Sequence, residues 1–166
     1  MKRSPIEKDR YDQILAQVEL GDQVGFDYFW TVEHHFLKEF SYCSAPEVLY
    51  GAISQITKRI RIGHAVALLP GQYNHPVRVA EHAAVLDILS NGRVDLGTGR
   101  STTLIEMDGF EVDPAQTKAQ WREAIGMIPK MWTEDPFSHQ GDSTKFLLPL
   151  SKLVNRRQLD LKRKNL

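Results

Sequence analysis

The chain has a single cysteine, Cys43, among its 166 residues. No internal disulfide can form, and such sparing cysteine usage suits a reducing compartment. Cys43 lies in a loop-like stretch with no neighbour that would activate a thiol. No apolar run is long enough to span a bilayer, and Met1-Lys2-Arg3-Ser4-Pro5 has no hydrophobic signal core. The expected location is therefore the cytoplasm, with no membrane partner. Neither charge is in excess: 21 basic and 21 acidic residues cancel, so no global field draws the chain to nucleic acid. Gly-x-Ser-x-Gly, Walker and His-Glu-x-x-His motifs are all lacking, which removes the simplest serine-hydrolase, nucleotide-hydrolase and zinc-protease readings.

What is present is an alternation of helices and strands. Ser4-Pro5-Ile6-Glu7 predicts a helix start, with Ser4 as cap, Pro5 in the first turn and Glu7 reaching back. Ile14, Leu15 and Val18 give this helix its inward stripe, and Gly25 ends it. Phe26 to Val32 is predicted as a buried, aromatic-rich strand. Ser44-Ala45-Pro46-Glu47 repeats the entry signal, with Val48, Leu49, Ala52, Ile53 and Ile56 at helical spacing. Ile60 to Leu69 is the second predicted strand. The third helix opens at His75-Pro76, carries Val77, Ala80, Ala84 and Ile88 on one face, and stops at Asn91-Gly92. Arg93 to Gly99 is the third strand, followed by a loop. Asp113-Pro114 open a fourth helix, reaching about Trp132, with Ala124, Ile128 and Met131 inward and Pro129 expected to kink or shorten it.

Strand starts recur roughly every 33 residues, the period of βα units in a parallel sheet. Beyond Pro136 the pattern dissolves. Residues 1–150 are expected to form one partial barrel domain, and 151–166 a basic, disordered tail. Three parallel strands and four helices make an α/β unit that cannot close a barrel alone, which takes about eight strands.

Ligands of such folds bind at the carboxyl ends of the strands. Four clusters fall there: Glu33-His34-His35, His64-Ala65-Val66 with Pro70, Asn74-His75-Pro76-Val77-Arg78, and Gly97-Thr98-Gly99-Arg100-Ser101. The glycines let backbone approach a ligand, and Arg100 offers a planar cation suited to phosphate. Glu33, His34, His35, His64 and His75 raise the question of a metal. Adjacent histidines point to opposite faces of an extended chain, so no metal site is expected.

In order and spacing, these strings resemble the bacterial luciferase-like flavin monooxygenase family. The matching pieces are Gly25-Phe26-Asp27, Glu33-His34-His35-Phe36, Leu68-Leu69-Pro70, His75-Pro76-Val77-Arg78-Val79-Ala80-Glu81, Leu89-Ser90-Asn91-Gly92-Arg93 and Gly97-x-Gly-Arg100. The resemblance implies a TIM (β/α)8 barrel of about twice this length. This chain would supply its second to fourth strands, as a truncated N-terminal half. It also implies that His34 is the catalytic histidine with His35 its neighbour. Ala65-Val66 would be the segment whose non-proline cis peptide lies beneath the flavin, although Val66 stands where a small residue is usual and leaves the isomer open. Arg100 would hold the FMN phosphate, beside Gly99 where luciferase itself has a cysteine, so light emission is not implied. The implied reaction is oxidation of a small organic substrate by oxygen and reduced FMN supplied by a separate flavin reductase. A deazaflavin coenzyme is the alternative cofactor. Other readings are a non-catalytic half-barrel that pairs with a second copy or a missing-half complement, and a metal-dependent barrel hydrolase.

Overall fold

The computed structural model describes residues 5–37 and 39–150. The expected cap Ser4 and the basic stretch 151–166 lie outside the described residues. The element order is α1 (Pro5–Val24), β1 (Tyr28–Thr31), α2 (Pro46–Ile56), β2 (Arg61–Leu68), α3 (Pro76–Leu89), β3 (Val94–Gly99), α4 (Leu104–Gly109), α5 (Thr117–Thr133), β4 (Phe137–Gln140) and β5 (Lys145–Leu150).

Strands β1, β2 and β3 form one parallel sheet in chain order. Tyr28, Arg61 and Val94 open them, and in register Tyr28 sits beside Arg61 and Ile62 beside Val94. Helices α2 and α3 are the crossovers that parallel pairing requires. Gly25, at φ +96°, ends α1 in a conformation that other residues rarely adopt. This α/β arrangement is that of a partial TIM-barrel fold.

Side chains alternate across the sheet. Phe29, Ile62 and Val94 face the helices and pack with Val18, Leu49, Tyr50 and Ile53. Leu96 joins a second core around α3 and α5, with Ala80, Ala124, Met127, Ile128 and Met131. Tyr28 and Trp30 stack on the opposite face, where a side chain at Gly63 would collide with the Trp30 indole. The same face holds the Arg61–Asp95 ion pair, bonded at 2.5 and 2.9 Å.

Several expectations need correction. The first strand is not fully buried: Tyr28 and Trp30 are half exposed, because no layer of described residues covers their face. In α2 the inward face is Leu49, Tyr50, Ile53 and Ser54, whereas Val48 and Ile56 are exposed. In α3 it is Val79, Ala80, Ala83, Ala84 and Asp87, with Ile88 turned outward. The stretch after β3 is not all loop, since it contains α4. Helix α5 starts at Thr117, because Asp113 accepts the Ala115 N–H at 2.9 Å and turns the chain first. Pro129 lies inside α5, which runs on to Thr133. Beyond Pro136, β4 and β5 pair as an antiparallel hairpin, where the sequence showed no pattern. No described helix is long and apolar enough to cross a membrane.

Candidate functional site

Three strand ends and the start of α4 build a cavity of about 250 Å³, lined by His34, Ala65, Val66, Gly99, Arg100 and Glu106 among others. Five of the six residues singled out by sequence therefore meet here. His35 is not among the lining residues: its ring stands edge-on to Phe110, centroids 4.7 Å apart, and its Nε2 lies 3.2 Å from Glu33.

Each wall has a local cause. His34 is held where the chain leaves β1, its N–H donating to the Cys43 carbonyl at 3.0 Å. Glu33, only 7% exposed, ties this exit to β2: it accepts the Leu68 N–H at 2.9 Å and the Asn74 amide at 2.7 Å. The Ala65–Val66 peptide is cis, and the β2–β3 register shifts between His64 and Ala67. Gly99 admits no side chain, because an added Cβ would run into Val66. At the end of β3, Arg100 donates to the Thr117 hydroxyl at 3.0 Å. Arg100 is an exposed residue, and its guanidinium has further N–H donors for an anion.

Glu106 is the residue sequence reading missed. It is 1% exposed, on a helix of only six residues. Its Oε1 lies 2.9 Å from His34 Nδ1 and accepts the His35 main-chain N–H at 2.8 Å. Its Oε2 accepts the Ser101 hydroxyl at 3.0 Å. Burial pushes this carboxyl up, but hydrogen bonds from His35, His34, Ser101 and Thr103 outweigh burial and hold it below the usual range. Its one sequence signal is an acid between Ile105 and Met107, which reads equally well as an exposed helix face.

The histidines do not converge. His64 is 7% exposed and packs edge-on to Tyr50, with centroids 4.5 Å apart. It borders a different hollow, of about 430 Å³, along α2 and α3. His75 caps α3, its ring accepting the Val77 N–H at 3.3 Å. Among the described residues, no three His, Cys, Asp or Glu side chains are grouped to hold a metal. Burial raises the Cys43 thiol above its ordinary range, so it is not an activated nucleophile.

A parallel βα sheet with a hollow at its carboxyl edge is the arrangement of a barrel-type α/β protein. The cavity brings Arg100 to the same hollow as His34 and the Ala65–Val66 peptide. The chain belongs to the luciferase-like monooxygenase family, whose sequence model matches residues 2–157. It is 36% identical over 121 residues to 4-hydroxyprotoasukamycin monooxygenase of Streptomyces nodosus subsp. asukaensis, covering 73% of this chain and 32% of that protein. It is 30% identical to the oxygenase component of the flavin-dependent trigonelline monooxygenase of Acinetobacter baylyi, covering 84% and 38%. It is 34% identical to an F420-dependent glucose-6-phosphate dehydrogenase of Amycolatopsis mediterranei, covering 74% and 38%. A monooxygenase structure from Streptomyces bottropensis superposes with a TM-score of 0.82 at 29% identity, covering 87% of this chain and 43% of that one. The oxygenating constituent of 3,6-diketocamphane monooxygenase from Pseudomonas putida, in complex with FMN, does so at 0.77 and 25% identity, covering 87% and 39%. The chain thus spans about a third to two fifths of the length of these relatives.

Proposed function

We propose that this chain forms part of an FMN-dependent monooxygenase that oxidises a small organic substrate with oxygen and reduced flavin. A separate reductase supplies the flavin. The observation that carries this reading is the shared cavity of His34, the Ala65–Val66 peptide and Arg100. Arg100 would hold the phosphate and Ala65–Val66 would support the ring. His34 would move a proton at the reacting face, with His35 steadying the loop behind it. The flavin supplies the redox step, and the protein orients and shields it. Further strands, from the same polypeptide or a partner chain, would close the barrel. A cytoplasmic setting suits the reduced flavin supply.

A deazaflavin coenzyme is the second reading, favoured by the 34% identity to an F420-dependent enzyme. Titrating the protein with FMN and with F420 separates the two. In a polypeptide extended to the length of its relatives, His34→Ala is expected to leave FMN binding unchanged and cut turnover on the order of 100- to 10,000-fold. Equal turnover in both proteins would remove His34 from the mechanism.

A further inference from the structure

Two adjacent histidines meet two buried carboxylates, but through opposite ring nitrogens. His34 presents Nδ1 to Glu106, at 2.9 Å. His35 presents Nε2 to Glu33, at 3.2 Å. An ionised carboxylate only accepts hydrogen bonds, so the nitrogen facing it must carry the proton. A neutral His34 is then protonated at Nδ1 and bare at Nε2, and a neutral His35 is the reverse.

We propose that Glu106 is a positioning residue that holds His34 as the Nδ1–H tautomer, so that Nε2 serves the cavity as a proton acceptor. Three features make Glu106 suited to this. It is 1% exposed, so water does not compete for the carboxylate. It lines the same cavity as His34. The oxygen that faces His34 also accepts the His35 main-chain N–H at 2.8 Å, and the other accepts Ser101 at 3.0 Å. These two contacts fix the carboxylate in place before any ligand arrives. The pairing of an inner carboxylate with a histidine sets which nitrogen reacts, as in other histidine-dependent sites. His35 is removed from that role by its own carboxylate, which explains how two neighbouring imidazoles have different functions. That Nε2 would face a flavin rests on the proposed function; the tautomer does not.

The test is long-range ¹H–¹⁵N correlation spectroscopy of the whole chain, labelled at histidine, at pH 8, above the ordinary histidine range. A protonated and a bare ring nitrogen resonate far apart. The expected result is a protonated Nδ1 for His34 and a protonated Nε2 for His35. Glu106→Gln is expected to keep the His34 pattern, because the amide oxygen can still accept from both His34 and His35 while its NH₂ faces Ser101. Glu106→Met is expected to release His34 to the Nε2–H form. Glu106→Asp, which draws the carboxylate back by one methylene, makes the same test where the Met variant does not fold. A wild-type His34 protonated at Nε2 overturns the proposal, and so does a Met or Asp variant that retains Nδ1–H. In the extended polypeptide, Glu106→Met should also lower turnover on the order of 10- to 100-fold with FMN binding retained. A Nδ1–H His34 in a protein that binds no flavin would leave the positioning role standing and the flavin reading fallen. A flavin-binding protein with Nε2–H would do the reverse.

Discussion

Stability should fall between pH 7 and pH 5 because of one residue, His64. The residue is 7% exposed, its ring edge-on to Tyr50, with no hydrogen-bond partner at Nδ1 among the described residues. Burial depresses its pKa to about 4, and the nearby His82 acts in the same direction; a hydrogen bond to the Asp95 backbone only partly opposes them. In the unfolded chain the ordinary histidine value of about 6.5 applies. Between these values the unfolded state binds a proton that the folded state does not, so stability rises with pH across this window and is lost as pH falls. Below about pH 4 both states are protonated and the loss levels off. At about 1.4 kcal/mol per pKa unit, the full loss is about 3 kcal/mol, and about 2 kcal/mol of it is spent by pH 5. Urea unfolding of wild type and His64→Gln at pH 7 and pH 5 measures this directly, since glutamine does not titrate and keeps an N–H donor. The wild type should lose about 2 kcal/mol more than the variant over that interval. Equal losses would refute the idea that His64 is buried in its neutral form.

Arg93, buried at 8% exposure, donates to the carbonyls of Ser90, Ile60, Ser54 and Thr57 and to the Thr57 hydroxyl. Arg93→Met strands these acceptors and should cost about 3–5 kcal/mol in urea unfolding; a cost below about 1 kcal/mol would show that the staple does little. Asp22 accepts the N–H groups of Lys58, Arg59 and Ile60 at 2.8, 2.8 and 2.6 Å. Burial raises its carboxyl, but these bonds outweigh burial and hold it below the ordinary aspartate range. Its contribution is therefore fully present above about pH 4 and lost as pH falls through the lower folded value. Asp22→Asn should flatten the acid limb of the stability profile below pH 4, and an unchanged limb would count against the assignment.

The parallel sheet was legible because its units carry strong local signals: Pro46 and Pro76 open α2 and α3, Gly25 and Gly92 follow α1 and α3 at positive φ, and strand starts repeat at 28, 61 and 94. The inward faces of α2 and α3 were less legible. Tyr50, Ser54 and Asp87 are buried polar residues that a hydrophobic pattern passes over, while Val48 and Ile88 are apolar but exposed. Helix α4 is too short to show a period. The β4–β5 hairpin includes His139, and its turn is held by Glu123, which accepts the Ser143 and Thr144 N–H groups at 3.0 and 2.9 Å. That long-range carboxylate contact has no local signature. Glu106 escaped notice for the same reason, since its partners His34 and His35 lie about seventy residues away in sequence. The isomer of the Ala65–Val66 peptide has no local sequence signature and is a property of the folded backbone.

The most direct test of the flavin assignment is a fluorescence titration of wild type and Arg100→Ala with FMN and with riboflavin, which lacks only the phosphate. If Arg100 grips that phosphate, wild type should prefer FMN by about 10- to 150-fold, matching about 1.5–3 kcal/mol for a charge-assisted contact, and the variant should lose the preference while binding riboflavin as before. Equal affinity of the wild type for both ligands, or an equal loss for both in the variant, would contradict the account.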